Sequence, residues 1–585
     1  MALQGIKPTH HPSRSGLILC ILFFLFGSAL LSLPGCGGGS ASDNANTLLS
    51  DLQVAPGTLI PAFSPSKFTY TVQVGGLQTV LSVIATAGNT GQQIQVNGVP
   101  LESAKASPNL FLEEGVNTVV IEVTEGSRRS NYVITINRGP VSAVAQQELF
   151  KARLVGFDIA NSGDRFGSSV AIDDDTLVIG APFEDSPDAA SADTNTLADS
   201  GAVYVFVLRS NVWRLQAILK ASDARSCDGF GESVAIQGDT IVVGSPGVLT
   251  PGGVTPTNCT SFTVPGAAYI FSRNGLTWSE TAILTASNAD TGDQFGKTVA
   301  IDQGTVAVGA VGEDSPDATS PALNNRTDSG AVYVFQQDSN GQWVEQALLK
   351  GSQAQAGDVM GTSLALQGGT LVAGAPNTVS TQLSGAAYVF ARDINGLWSE
   401  QARLTASNAG TGDEFGKSVA IFDDILAVGA WLEDSNQVAG RPGNSILTDS
   451  GAVYIFSRSG VAWTETQILK ANNADANDWL GYSLVLKGKT LAVAAIGEDS
   501  SRNSGLAGNG TSNAGAVYIW ERLAGGWEEK TVLKASNADQ DDWFGFALGF
   551  HGNRILVGTP LEDSNTANPG GNELLRDSGA AYLFE

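Results

Sequence analysis

Two acidic signatures recur along the chain at spacings that could bring oxygen ligands together. Glu-Asp-Ser opens at Glu184-Asp185, Glu313-Asp314, Glu433-Asp434, Glu498-Asp499 and Glu562-Asp563, and Asp-Ser-Gly opens at Asp199, Asp328, Asp449 and Asp577. The two travel together except after Glu498-Asp499, where Asn513-Ala514-Gly515 replaces the second. Hard cations take several oxygens from one loop, so these twelve residues of the four complete pairs are the chain's candidate calcium ligands: Glu184, Asp185, Asp199, Glu313, Asp314, Asp328, Glu433, Asp434, Asp449, Glu562, Asp563 and Asp577. The competing expectation is a hydrogen-bonded staple between the two ends of one loop, because short acidic side chains readily bond to nearby backbone. A third acidic position, at Asp164, Asp228, Asp293, Asp358, Asp413, Asp478 and Asp542, stands two residues before a recurring Phe-Gly or its substitute. Its presence in every copy favours a turn-ordering role.

Tryptophan is the other residue type with chemical potential. Trp213, Trp278, Trp343, Trp398, Trp463 and Trp527 occupy one repeated position, which points to packing. Trp431, Trp479, Trp520 and Trp543 break the repeat and are better functional candidates, with Trp520 expected to fill the core. Catalysis finds less support. Of three histidines, His10 and His11 lie near the N-terminus and His551 sits in a turn, which limits histidine-based acid–base or zinc chemistry. No non-repeated carboxylate pair stands out, so no catalytic residue is assigned.

The elements that must position these residues follow from the repeat. Phe-Gly or its substitute begins at Phe166, Phe230, Phe295, Met360, Phe415, Leu480 and Phe544, spaced by 64, 65, 65, 55, 65 and 64 residues. Each copy reads as four strands without helical periodicity; the third shows them at residues 295–301, 305–311, 329–335 and 343–349. Four strands make a propeller blade, so residues 146–585 are expected to form a seven-bladed β-propeller. The last copy lacks its fourth strand, and residues 146–154, ahead of the first copy, match what is missing. Pairing them would close the ring and cover an exposed edge.

The Phe-Gly turns, with Gly180-Ala181-Pro182 and Gly374-Ala375-Pro376, resemble the FG-GAP repeat of integrin-α-type propellers. That resemblance implies a binding function. It also implies calcium held by Asp-x-Asp-x-Asp-Gly loops, a string absent here, which weakens the calcium expectation.

Residues 48–138 alternate apolar and polar positions in short runs, with Asn97-Gly98 as a tight hairpin signal. The expectation is a small β-sandwich, making the fold all-β throughout. The order of its strands resembles the cadherin-like β-sandwich domain of bacterial surface proteins, which implies a spacer or adhesive module.

At the N-terminus, Lys7 and Arg14 precede an apolar run over residues 17–33, the pattern of a signal peptide over residues 1–35. A membrane-spanning anchor is the alternative. Leu33-Pro34-Gly35-Cys36 resembles the bacterial lipobox, which implies a lipid on Cys36 and a flexible tether over residues 36–47. Loss of the signal would leave 30 basic residues against 58 acidic ones, a balance that argues against nucleic acid as a partner. Cys227 and Cys259 then remain and are expected to form a disulfide, the usual fate of two thiols in an exported chain. The combined expectation is a lipid-anchored protein of the bacterial cell envelope, at the outer membrane or cell surface, whose propeller binds a protein or glycan. The alternatives are a carboxylate-based polysaccharide hydrolase or lyase and a structural role in envelope assembly.

Overall fold

A computed structural model describes residues 47–141, 146–150, 163–186, 196–247, 265–377, 384–435, 447–500, 510–563 and 577–585. Cys36, its flanking signal and tether, and Cys259 lie outside the described residues.

Alternating burial builds the N-terminal sandwich. Along Arg128–Arg138, Tyr132, Ile134 and Ile136 point into the core while their neighbours face outward, the period of two that a half-buried strand requires. This strand lies between Thr69–Val74, which runs parallel to it, and Gly115–Glu125; Gln93–Val96 and Val99–Leu101 complete a five-stranded sheet. Leu49–Ala55, Val80–Ala87 and Leu110–Phe111 form the opposing sheet. Asn97 and Gly98 both adopt positive φ, 49° and 82°, and Val96 pairs with Val99 across the turn, as the Asn-Gly hairpin signal predicts.

Seven four-stranded antiparallel sheets follow, one per repeat, making a seven-bladed β-propeller. Blade 1 is Ser169–Asp173, Thr176–Ala181, Ala202–Arg209 and Val212–Leu219. Blade 4, the shortened copy, keeps all four strands, from Ser363–Gln367 to Trp398–Leu404. Blade 7 takes Ala547–His551, Arg554–Thr559 and Ala580–Phe584 from the C-terminus and its outer strand from Gln146–Phe150, with Ala580 opposite Phe150 and Phe584 opposite Gln146. The first strand of each blade packs against that of the next, and blade 7 against blade 1.

The Phe-Gly turns stitch blades together. Phe230 is fully buried, forms a bridge with Gly201 of the preceding blade and meets Tyr269 and Phe271 of its own third strand edge-on. Gly231 has a φ of 96°, and a Cβ on Gly180 of the preceding blade would lie 2.1 Å from the Gly231 carbonyl oxygen. Both glycines are therefore required, one by backbone conformation and one by close approach. The repeated tryptophans also pack between blades: Trp278 Nε1 donates to Gln216 Oε1 at 2.9 Å and Trp463 Nε1 to Gln401 Oε1 at 2.8 Å.

The sandwich docks on the ends of blades 5 to 7 where the first and second strands turn. The Lys489 amide donates to Thr79 Oγ1, the Leu77 amide to Asn553 Oδ1, and Asn109 Nδ2 to Asp423 Oδ2. Leu77 and Val141 share an apolar cluster with Ala492, Ile555 and Phe584. The Phe-Gly turns lie at the other end of the same inner strands, so the propeller's opposite face is clear of the sandwich.

Candidate functional site

The recurring acids resolve into two structural devices, a half-buried loop staple and a buried ion pair. In blade 3, the Asp328 amide donates to Asp314 Oδ1 at 2.7 Å, tying together the ends of the loop between the second and third strands. The same bond joins Asp199 to Asp185, Asp449 to Asp434 and Asp577 to Asp563, at 2.6–2.9 Å. Asn513 donates in the same way to Asp499. Because the donor is a backbone amide, the exchange of Asp for Asn in blade 6 keeps the bond. What the position demands is a φ of 51–54°, found at Asp199, Asp328, Asp449, Asn513 and Asp577, and Asp and Asn tolerate that conformation best among residues with side chains. The staple geometry is thus formed in all five loops.

The glutamate of each signature turns inward. Glu313 lies 2.5 Å from Lys350 Nζ, and Lys350 also donates to Ser329 Oγ, the serine of Asp-Ser-Gly. Glu184 pairs with Lys220, Glu433 with Lys470 and Glu498 with Lys534, each pair buried. Glu562 accepts a bond from the Tyr582 hydroxyl; Lys151, which matches these lysines in sequence, lies outside the described residues. Sequence reasoning missed the lysines, yet the signal was present: the two copies without Glu-Asp-Ser carry Thr285 and Thr405 at that position. Among the described residues, no cluster of three or more acidic, histidine or cysteine side chains could hold a metal ion.

In blades 2 to 7 the Asp before the Phe-Gly, or its substitute, orders the turn that leads into it. Its carboxylate accepts the amide three residues earlier, as Asp293 does from Asp290 and Asp478 from Asp475, at 2.7–2.8 Å. Burial and the nearby Glu313 push Asp293 up to about 7, and burial with Glu498 does the same to Asp478. Asp413, buried near Glu433, rises to about 6. Cys227, beside this position in blade 2, is disulfide-bonded.

A different set of residues converges on the axis of the propeller. On the face away from the sandwich, a cavity of about 500 Å³ is lined on one side by Trp431, Trp479, Tyr482, Trp543 and Phe546 and elsewhere by charged side chains including Arg165, Glu232, Lys297 and Lys417. Trp431 meets Trp479 and Tyr482 edge-on, with ring centroids 5.6 and 5.4 Å apart, and Trp543 stacks on Phe546. Three of the four repeat-breaking tryptophans therefore come together. The fourth, Trp520, is buried in the core against Tyr518.

The backbone beneath this cavity is strained. The residue before each Phe, or its substitute, adopts positive φ: Arg165 (53°), Gln294 (56°), Val359 (49°), Glu414 (54°), Trp479 (60°) and Trp543 (57°), with Gly229 taking the position in blade 2. Glycine suits this conformation, whereas a β-branched or bulky residue there is an outlier. Outliers of this kind concentrate at functional sites, and five of these six side chains line the cavity.

Charge in the cavity is unevenly satisfied. Lys297 pairs with Glu232, and Glu414 accepts a 2.7 Å bond from Trp431 Nε1. Lys417 Nζ sits 4.6 Å from the Tyr482 ring centroid and 5.1 Å from that of Trp431, within the range of cation–π attraction. Burial lowers its pKa, against the pull of Glu414 and with the help of Lys297. Arg165 lies over Phe183 at 4.7 Å.

Comparison with known proteins agrees with this architecture. The cadherin-like β-sandwich domain model matches residues 49–139. A protein of Evansella cellulosilytica named "Putative membrane protein" is 32% identical over 107 residues, covering 18% of this chain and 16% of its own length. The FG-GAP repeat model matches seven times, at residues 150–206, 213–271, 278–335, 343–390, 398–456, 463–520 and 527–584. With more than half of its length matched, the chain belongs to the FG-GAP repeat family.

Proposed function

We propose that this protein is a lipid-anchored binding protein of the bacterial cell envelope, and that the axial cavity of its propeller is the binding site. FG-GAP propellers suggest binding or adhesion rather than catalysis, and the observation that carries the reading is the convergence of Trp431, Trp479, Tyr482, Trp543 and Phe546 on one wall of that cavity. A concave site lined by aromatic side chains with a few polar groups is the usual form of a ligand pocket. Here the aromatic residues depart from the repeat where the repeat itself asks for smaller or polar ones. The carboxylates nearest the wall support binding over hydrolysis or lyase chemistry, because Glu232 is ion-paired and Glu414 holds an indole. Anchoring rests on the lipobox-like Leu33-Pro34-Gly35-Cys36, and the membrane designation of the Evansella cellulosilytica relative is in keeping with it.

A glycan and peptide array probed with the mature chain tests the site. Ligands should be found that the Trp479→Ala variant no longer retains. Equal retention by the variant would overturn the assignment. Fatty-acid analogue labelling tests the anchor, and labelling of Cys36→Ala at the wild-type level would refute it.

A further inference from the structure

Two cations in the axial cavity make no contact ion pair among the described residues. Among the described residues, the Lys417 ammonium makes no hydrogen bond and no ion pair, and its close contacts are the faces of Tyr482 and Trp431. The Arg165 guanidinium likewise makes none and rests on Phe183. Both line the cavity. Elsewhere the buried lysines Lys220, Lys350, Lys470 and Lys534 are each matched to a glutamate. Carboxylates act on both from a distance, Glu414 on Lys417 and Asp577, Glu232 and Asp199 on Arg165, but among the described residues neither cation is in contact with one. A desolvated cation is costly unless paired, and an anionic ligand would supply the pairing.

The rest of the wall narrows the class. The indole N–H groups of Trp479 and Trp543 and the hydroxyl of Tyr482 make no hydrogen bond among the described residues. A pyranose ring matches such a surface. Its axial C–H groups present a weakly positive apolar face to the negative face of an aromatic ring, and its hydroxyls accept from free N–H and O–H donors. A cavity of about 500 Å³ lies in the range that holds small ligands rather than a folded partner.

Resting on the reading of the cavity as the binding site, we infer that it takes an acidic sugar residue of a glycan, stacked on Trp479 and its aromatic neighbours with its anionic group drawn by the cations of the wall, Lys417 and Arg165. The anionic group is a carboxylate or a sulfate ester, and the two are separated by experiment.

The mature chain would be titrated calorimetrically with oligogalacturonate and oligoglucuronate, with a sulfated oligosaccharide, and with the carboxyl-reduced or desulfated counterpart of each. At least one acidic form should bind at least tenfold more tightly than its neutral counterpart, and added salt should weaken it. Lys417→Gln and Arg165→Gln should each remove most of that difference, and Lys417→Arg should restore it. Melting curves of the variants would establish that they fold. Neutral counterparts binding as tightly as the acids would overturn the inference, as would acidic binding indifferent to both charge substitutions, or no binding of any acidic sugar. Failure of the inference alone would appear as array ligands that are neutral or peptidic yet still lost in Trp479→Ala. Failure of the cavity reading would appear as ligands retained by that variant.

Discussion

Arg138 Nη1 lies 2.6 Å from Glu521 Oε1, with 0% and 3% of the two side chains exposed. Arg138 ends the sandwich strand Arg128–Arg138 and Glu521 sits in the third strand of blade 6. The guanidinium also donates to the carbonyl oxygens of Gly76 and Leu112, so the desolvated cation is fully held. With the apolar contacts of Leu77 and Val141, this makes the sandwich a docked part of the propeller body rather than a loose spacer.

Removing one partner of this pair strands the other. Arg138→Met should destabilise the protein by about 3–5 kcal/mol, the usual cost of leaving a buried charge unpaired, whereas Arg138→Met with Glu521→Leu should recover most of the loss. Calorimetric unfolding would show it, with one cooperative transition in the wild type and the sandwich melting separately in Arg138→Met. A double variant no more stable than the single one would mean the pair is not the clamp.

The Glu–Lys pairs of the blades make a similar prediction with an internal control. Copies two and four carry Thr285 and Thr405 where the others have lysine, and Val248 and Thr378 where the others have glutamate. Lys350→Thr alone should cost about 3–5 kcal/mol, because Glu313 remains buried. Adding Glu313→Thr should return the blade near wild-type stability. Denaturant titration of the two variants distinguishes this from a role for Glu313 in holding calcium, in which case a chelator would lower the melting temperature of the wild type.

Acid should stabilise this protein over a range where it destabilises many others. Burial and neighbouring glutamates raise Asp293 and Asp478 to about 7 and Asp413 to about 6, above the usual aspartate value of about 3.9. In that interval the folded state holds protons that the unfolded chain releases, so stability falls as pH rises from about 4 to 7. The melting temperature should be higher at pH 5 than at pH 8. Asp293→Asn with Asp478→Asn should reduce the difference, with Asp413, Asp228 and Asp542 keeping part of it, and an unchanged slope would show that other groups set it.

Repetition made much of this molecule legible in its sequence. Seven Phe-Gly positions imposed seven blades, and the incomplete last copy located the closing strand at Gln146–Phe150. The acidic loop staple was legible too, since the co-occurrence of Glu-Asp-Ser with Asp-Ser-Gly reflected a direct bond between their loop ends. Its backbone donor was not, because nothing in the letters distinguishes an amide from a carboxylate partner. The axial cavity was legible only as three of the four tryptophans out of pattern. Lys417, Arg165 and Tyr482 looked ordinary, because their proximity depends on how the ring brings the same position of different blades to one axis.

The strain at those positions gives the last prediction. Val359 has a φ of 49°, a conformation that costs a β-branched residue about 1–2 kcal/mol, and blade 2 shows with Gly229 what the turn accepts most readily. Val359→Gly relieves the strain but adds unfolded-chain entropy, about 0.5–1 kcal/mol in the opposite direction, and loses the contacts of one half-buried side chain. The net effect should be close to neutral. Trp479→Gly, at a φ of 60°, should lose ligand binding and also more stability than Val359→Gly, because its half-buried side chain packs against the apolar cluster of Ala492, Ile555 and Phe584 as well as lining the cavity. Parallel melting and binding measurements on the two variants test the division of labour. A loss above about 2 kcal/mol in Val359→Gly, beyond what relief of strain leaves room for, would mean that the position is kept for packing, and the left-handed backbone would then carry no functional weight.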